Sequence, residues 1–181
     1  MKPLTKKLKL SKKCKKKSSK CIDNCICQMY YKSTAKVYIN MKRILVLTHG
    51  ELSKGFKSAH EVISAAESGI NTVSLEPSDS PESLNEKIKA VLETWDEEDM
   101  KIVLTDIPYG STSVTVMPWL ATTPNLYVIS GLNLALLLGV SMQEFTPGQE
   151  TEELHSLIEQ AKETVTLLND QLTVLNDDED D

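Results

Sequence analysis

The chain of 181 residues carries 20 Lys and Arg against 26 Asp and Glu, but its formal charge of −6 is unevenly divided: residues 1–40 hold twelve of the basic residues and one acid, Asp23, for +11, and the rest carries −17. No window approaches the ~20 apolar residues of a membrane span, and no apolar stretch of roughly 7 to 15 residues follows the N-terminal charges as a secretory signal requires. The acidic body is unsuited to nucleic acid, whose phosphates need clustered Lys and Arg.

All four cysteines, Cys14, Cys21, Cys25 and Cys27, fall in the basic segment. The run Lys12-Lys-Cys-Lys-Lys-Lys17 has the charge to touch an anionic surface, while the C-x3-C-x-C spacing lacks the second half of a zinc site. The plainer expectation for residues 1–40 is a disordered N-terminal extension, or sequence translated upstream of a start at Met41. With no export signal, the expected location is cytoplasmic, with reduced cysteines. The remaining residues suit one domain, expected over 41–170, followed by a frayed acidic tail over 171–181 that ends in Asn176-Asp-Asp-Glu-Asp-Asp181.

Within 41–170, short apolar runs alternate with amphipathic stretches, the pattern of an α/β doubly wound, mainly parallel sheet with helices on both faces. Residues 43–47 predict the first strand, and a helix over 53–68 follows with Gly69 closing it. Residues 71–75 predict the second strand. Ser80 and Pro81 then give a cap and a first helical position, and Leu84, Ile88, Val91 and Leu92 line the buried face of that helix. A third strand is expected at 101–105, a helix near 113–120, and a fourth strand at 126–130. Helices over 133–140 and 151–168 complete the body. Trp95, Trp119 and Met117 are expected to be packing residues.

Two polar residues stand at strand ends. His49 follows the apolar run Ile44-Leu-Val-Leu47 and precedes Gly50, and Asp106 follows the third strand. In the common doubly wound orders, strands one and three are neighbours roughly 4.8 Å apart. Both side chains would then leave the same carboxyl edge, at the topological switch point, and meet. A carboxylate that accepts from one ring nitrogen fixes the tautomer and leaves the other nitrogen as a nucleophile. His60 and His155 lie within amphipathic helices, where structural roles are expected. The stretch Ile107-Pro-Tyr-Gly-Ser-Thr-Ser113 adds a glycine, three hydroxyls and backbone amides leading into a helix, a combination suited to phosphate oxygens. Neither G-x4-G-K-[ST] nor G-x-G-x-x-G occurs, so the phosphate is expected to arrive on a carrier other than a nucleotide.

Three segments carry a family resemblance: Val46-Leu-Thr-His-Gly50, Val103-Leu-Thr-Asp106 with Gly110-Ser111, and Val128-Ile-Ser-Gly-Leu-Asn133. In this order and spacing, about residues 41–170 resemble the IIA components of the bacterial phosphoenolpyruvate-dependent sugar phosphotransferase system, mannose/fructose/sorbose type. The resemblance implies that His49 accepts a phosphoryl group from the histidine phosphocarrier protein and passes it to a IIB domain. IIB in turn serves the membrane IIC and IID subunits. It implies Asp106 as the carboxylate orienting His49, Ser111 as a hydroxyl near the phosphoryl group with Gly110 beside it, and a homodimer. Thr48, next to the nucleophile, is added as a phosphate-binding candidate. No cofactor and no metal is called for.

The family pattern Asp-x-x-Gly-Gly-Ser/Thr-Pro-x-Asn is altered here. Tyr109 stands for the first glycine, Thr112 for the proline and Val114 for the asparagine, so the loop is expected to be reshaped. Two other functions stay open: a related phosphotransferase subunit that feeds dihydroxyacetone kinase, and a non-catalytic regulatory interaction module.

Overall fold

The computed structural model describes residues 41–169. The basic segment with its cysteines and the acidic tail lie outside them. Four parallel strands form one sheet in the order β2-β1-β3-β4: β1 Lys42–His49, β2 Asn71–Leu75, β3 Met100–Thr105 and β4 Leu126–Ser130. The helices are α1 Leu52–Ser64, α2 Pro81–Leu92, α3 Ser111–Val116, α4 Leu134–Met142 and α5 Glu150–Glu163, with a 3₁₀ turn at Met117–Ala121. The sequence anticipates this α/β arrangement, including β1 beside β3 with β2 outside.

Strand alternation builds two cores. Ile44, Val46, Ile102 and Leu104 point to one face and pack with Leu136, Leu137, Val140 and Leu154 of α4 and α5. Leu45, Leu47 and Val103 point to the other and pack with Leu84, Ile88 and Leu92 of α2, Val116 of α3, and Trp95. Both faces being covered is what makes the central strands continuously apolar. Trp119 packs at the edge of the second core and donates from Nε1 to Asn85 Oδ1 at 2.9 Å. Met117 differs from expectation: it is 56% exposed, because the 3₁₀ turn that it opens carries no buried residue.

Element ends show where local chemistry overrode periodicity. Helix α1 stops at Ser64, with Ala65 in the left-handed region (φ 51°), so Gly69 is not its closing residue. Glu61 Oε1 accepts from both the amide and the hydroxyl of Ser68, which turns the chain back and brings Ile70 into the core ahead of β2. The α2 start is as expected: Ser80 accepts from Ser83 N, and the Ser83 hydroxyl reciprocates. Helix α3 begins two residues early and yields to the 3₁₀ turn at Pro118, which has no N–H to continue an α-helix. Asn133 caps α4 by accepting from Leu136 N at 2.7 Å. The last helix ends at Glu163 rather than 168, where Thr164 closes onto Ala161 O and β-branched residues follow.

At the amino edge of the sheet, Lys42 Nζ donates to the carbonyls of Val140, Ser141 and Gln143 at 2.6–2.8 Å. The cation thereby closes the C-terminus of α4. His60 is buried and meets Ser141 Oγ at 2.8 Å, whereas His155 is exposed. Among the described residues, no helix is long and apolar enough to cross a membrane, and no cluster of three His, Cys, Asp or Glu side chains is arranged to hold a metal.

Candidate functional site

His49 is the last residue of β1 rather than part of the loop after it. On one side its backbone pairs with Leu75 of β2, and Gly50 N donates to Leu75 O at 2.9 Å. On the other side, the β1–β3 ladder ends two residues earlier, at Leu47↔Thr105. The Asp106 side chain takes over there. Its Oδ2 accepts from His49 N at 2.9 Å and lies 2.7 Å from His49 Nδ1. The carboxylate is a strong acceptor, so Nδ1 carries the proton and Nε2 keeps its lone pair. The imidazole is 44% exposed and Asp106 only 10%.

The second oxygen of Asp106 is also committed. Oδ1 accepts from Ile107 N at 3.1 Å and from Thr112 Oγ1 at 3.0 Å. Burial alone would raise the Asp106 pKa, but the His49 amide and ring together with the Thr112 hydroxyl hold the carboxyl below its ordinary range. It is therefore an anion at neutral pH.

Beside His49 opens a cavity of about 380 Å³, lined also by Gly50, Glu76, Asp79, Ser111 and Thr115. Ser111, the first residue of α3, is exposed and faces the same space as the imidazole. Asp79 is paired with Lys87 at 2.6 Å. That bond, with the Glu76 amide and the Ser83 hydroxyl, pulls its carboxyl down to about 2 despite the opposing effect of burial.

Gly110 approaches His49 closely. A Cβ at this position would lie 2.8 Å from Ile107 Cγ1 and 3.5 Å from His49 Cε1. Its φ of −77° is open to any residue, so proximity and not backbone conformation explains a glycine there. Tyr109 is the reverse case: it adopts φ 61° with a side chain 92% exposed. A left-handed backbone at this position costs roughly 1–2 kcal/mol for a residue with a Cβ.

Of the three hydroxyls after Gly110, only Ser111 faces the cavity. Thr112 is buried and serves Asp106. Ser113 donates to Ile107 O at 2.7 Å. Its single proton is thereby used, so Thr105 Oγ1 (2.7 Å) and Ser130 Oγ (3.1 Å) donate to it. The loop is thus tied to the ends of β3 and β4. Thr48 is fully buried, and its hydroxyl lies 3.4 Å from the His49 carbonyl instead of lining the cavity. The structure therefore brings His49, Asp106, Gly110 and Ser111 together and leaves Thr48 outside. Thr112 escapes sequence inspection because its contact with Asp106 crosses a loop, from the end of β3 to the first turn of α3, where neither the strand nor the helix period applies.

Residues 43–162 match the family model described as the PTS system fructose IIA component. Among solved structures, the chain is similar to the mannose/sorbose-specific IIA subunit of the phosphotransferase system from Enterococcus faecalis. The TM-score is 0.64 at 22% identity, over 70% of this chain and 94% of that one. It is also similar to the PTS IIA protein associated with the fucose utilization operon from Streptococcus pneumoniae, with a TM-score of 0.63 at 19% identity over 73% and 96% of the two chains. At these identities the likeness is one of fold. A search of curated proteins gave no match.

Proposed function

The chain belongs to the mannose/fructose-type IIA family of the bacterial sugar phosphotransferase system, and from that premise we propose that it carries a phosphoryl group on His49 between the histidine phosphocarrier protein and a IIB domain. The observation that carries this reading is the 2.7 Å contact between His49 Nδ1 and Asp106 Oδ2, which orients the ring so that its neutral tautomer carries the lone pair on Nε2, beside an open cavity.

In the proposed step, the Nε2 lone pair attacks phosphorus as the bond from phosphorus to the donor's histidine nitrogen breaks, and that electron pair returns to the donor ring. The Nδ1 proton stays in its hydrogen bond, so the positive charge developing on the imidazole lies against the Asp106 anion. In this reading Ser111, which lines the same cavity, donates to a phosphoryl oxygen. Transfer to IIB is the same displacement with His49 as the leaving group, and a neutral imidazole held by Asp106 leaves readily. No change of strand order or helix position is needed, because both partners reach the same exposed nitrogen in turn.

Incubation with phosphoenolpyruvate, enzyme I and the phosphocarrier protein tests this. Wild-type protein is expected to acquire acid-labile phosphate and to discharge it to IIB, whereas His49→Ala acquires none. A wild type that stays unlabelled beside active partners refutes the proposal.

A further inference from the structure

We infer that Thr112 is a positioning residue for the His49 site: its hydroxyl fixes the carboxylate that fixes the imidazole. This rests on the phosphohistidine reading above and concerns a residue that never meets the phosphoryl group.

The four bonds to Asp106 are not equivalent. Two come from His49 itself, through its amide and its ring. A third comes from the amide of Ile107, the next residue in the chain, and moves with Asp106. Only the bond from Thr112 Oγ1 to Oδ1, 3.0 Å long, ties the carboxylate to an element other than the strand that carries His49. Without it, the group that orients His49 would be oriented chiefly by His49.

Thr112 is well placed to act as a fixed point. It is fully buried in the first turn of α3. The next residue, Ser113, anchors that turn through Thr105 on β3, Ser130 on β4 and the Ile107 carbonyl. The hydroxyl is therefore held by the sheet and not by the exposed part of the loop. It also withdraws charge from Asp106, which weakens the carboxylate as a base. The remaining ionisable groups beside His49, Glu76 and Asp79, lie across the cavity on the β2–α2 connection and stay the same in any Thr112 variant.

Thr112→Val keeps the shape and removes the donor; Thr112→Ser keeps the donor and removes the methyl. Single-turnover phosphorylation by the phosphocarrier protein is expected to be about tenfold slower in Thr112→Val. Thr112→Ser should return the rate to within about twofold of wild type. Ring-nitrogen NMR of unphosphorylated protein gives a readout that needs no partner: the His49 resonances should broaden or shift in Thr112→Val and recover in Thr112→Ser.

The inference is overturned if Thr112→Val matches wild type in rate and ring resonances. It is equally overturned if Thr112→Ser is as slow as Thr112→Val, since the methyl group and not the hydroxyl would then matter. Failure of wild type to accept phosphate would instead remove the phosphotransfer reading, leaving the NMR comparison to decide the role of Thr112.

Discussion

Asp106→Asn is the substitution in which fold and chemistry separate most clearly. The carboxylate presents two oxygens, each accepting twice: Oδ2 from the amide and ring of His49, Oδ1 from Ile107 N and Thr112 Oγ1. An amide of the same shape offers one oxygen and one NH2. With the oxygen toward His49, the NH2 confronts the Ile107 N–H. With the NH2 toward His49, it confronts the His49 N–H and donates to Nδ1, which moves the ring proton to Nε2 and abolishes the nucleophile. In either orientation the charge opposing the developing imidazolium is gone. A hydrogen bond to a charged group contributes about 1.5–3 kcal/mol, and at about 1.36 kcal/mol per decade the phosphorylation rate should fall ten- to a hundredfold. Stability should change much less, because the apolar cores on both faces of the sheet are untouched. Rapid-quench measurement of phosphate incorporation, with thermal unfolding alongside, is the assay. An unchanged rate in a folded variant would refute the role given to Asp106, and loss of the fold would refute the separation.

Two further substitutions probe the surroundings. Gly110→Ala introduces a methyl that overlaps Ile107 and crowds His49 Cε1. Because Ile107 is half exposed and free to shift, phosphorylation should slow severalfold while the melting temperature changes by only a few degrees; equal rates would show that close approach at Gly110 is unimportant. Asp79 and Asp106 have carboxyl pKa values held below the ordinary range, Asp79 at about 2, and so does Asp99, where hydrogen bonds from Arg43 Nε at 2.8 Å and the Met41 amide at 3.1 Å outweigh burial. A depressed carboxyl contributes stability that is complete above its unfolded value of about 3.9 and is lost as pH falls through the folded value. The melting temperature should therefore drop between about pH 4 and 2, and Asp79→Asn should flatten that drop. An acid limb unchanged in Asp79→Asn would show that the Lys87 pair does not contribute to it.

The sheet was legible because its central strands are buried on both faces. The runs at 44–47 and 102–104 have no alternation to misplace, and the common doubly wound order set β1 beside β3. His49 and Asp106 were legible for the same reason, since residues just beyond such runs emerge at one edge. Element ends were less visible. Helix α1 stops at Ser64, and Glu61 captures Ser68 from chain that has already left the helix, a contact that helical periodicity does not foretell. Thr48 shows the limit of adjacency: strand alternation turns it away from the cavity that its neighbour faces. Sorting the hydroxyls of 111–113 between phosphate, carboxylate and backbone required their directions, and three consecutive polar residues give no such information.

A single oxygen explains why this site needs so few residues. Asp106 Oδ2 accepts from the backbone and the ring of the same residue, so the imidazole orientation is fixed relative to its own strand. The amide contact also stands where the β1–β3 ladder has run out, two residues beyond Leu47↔Thr105. The sheet edge would otherwise present an unpaired His49 N–H there. Closing the edge and orienting the nucleophile are thus one interaction. Any residue at 106 that satisfies the backbone without a negative charge would keep the edge and lose the chemistry, and for that reason a folded but slow Asp106→Asn is the sharpest expectation the geometry allows.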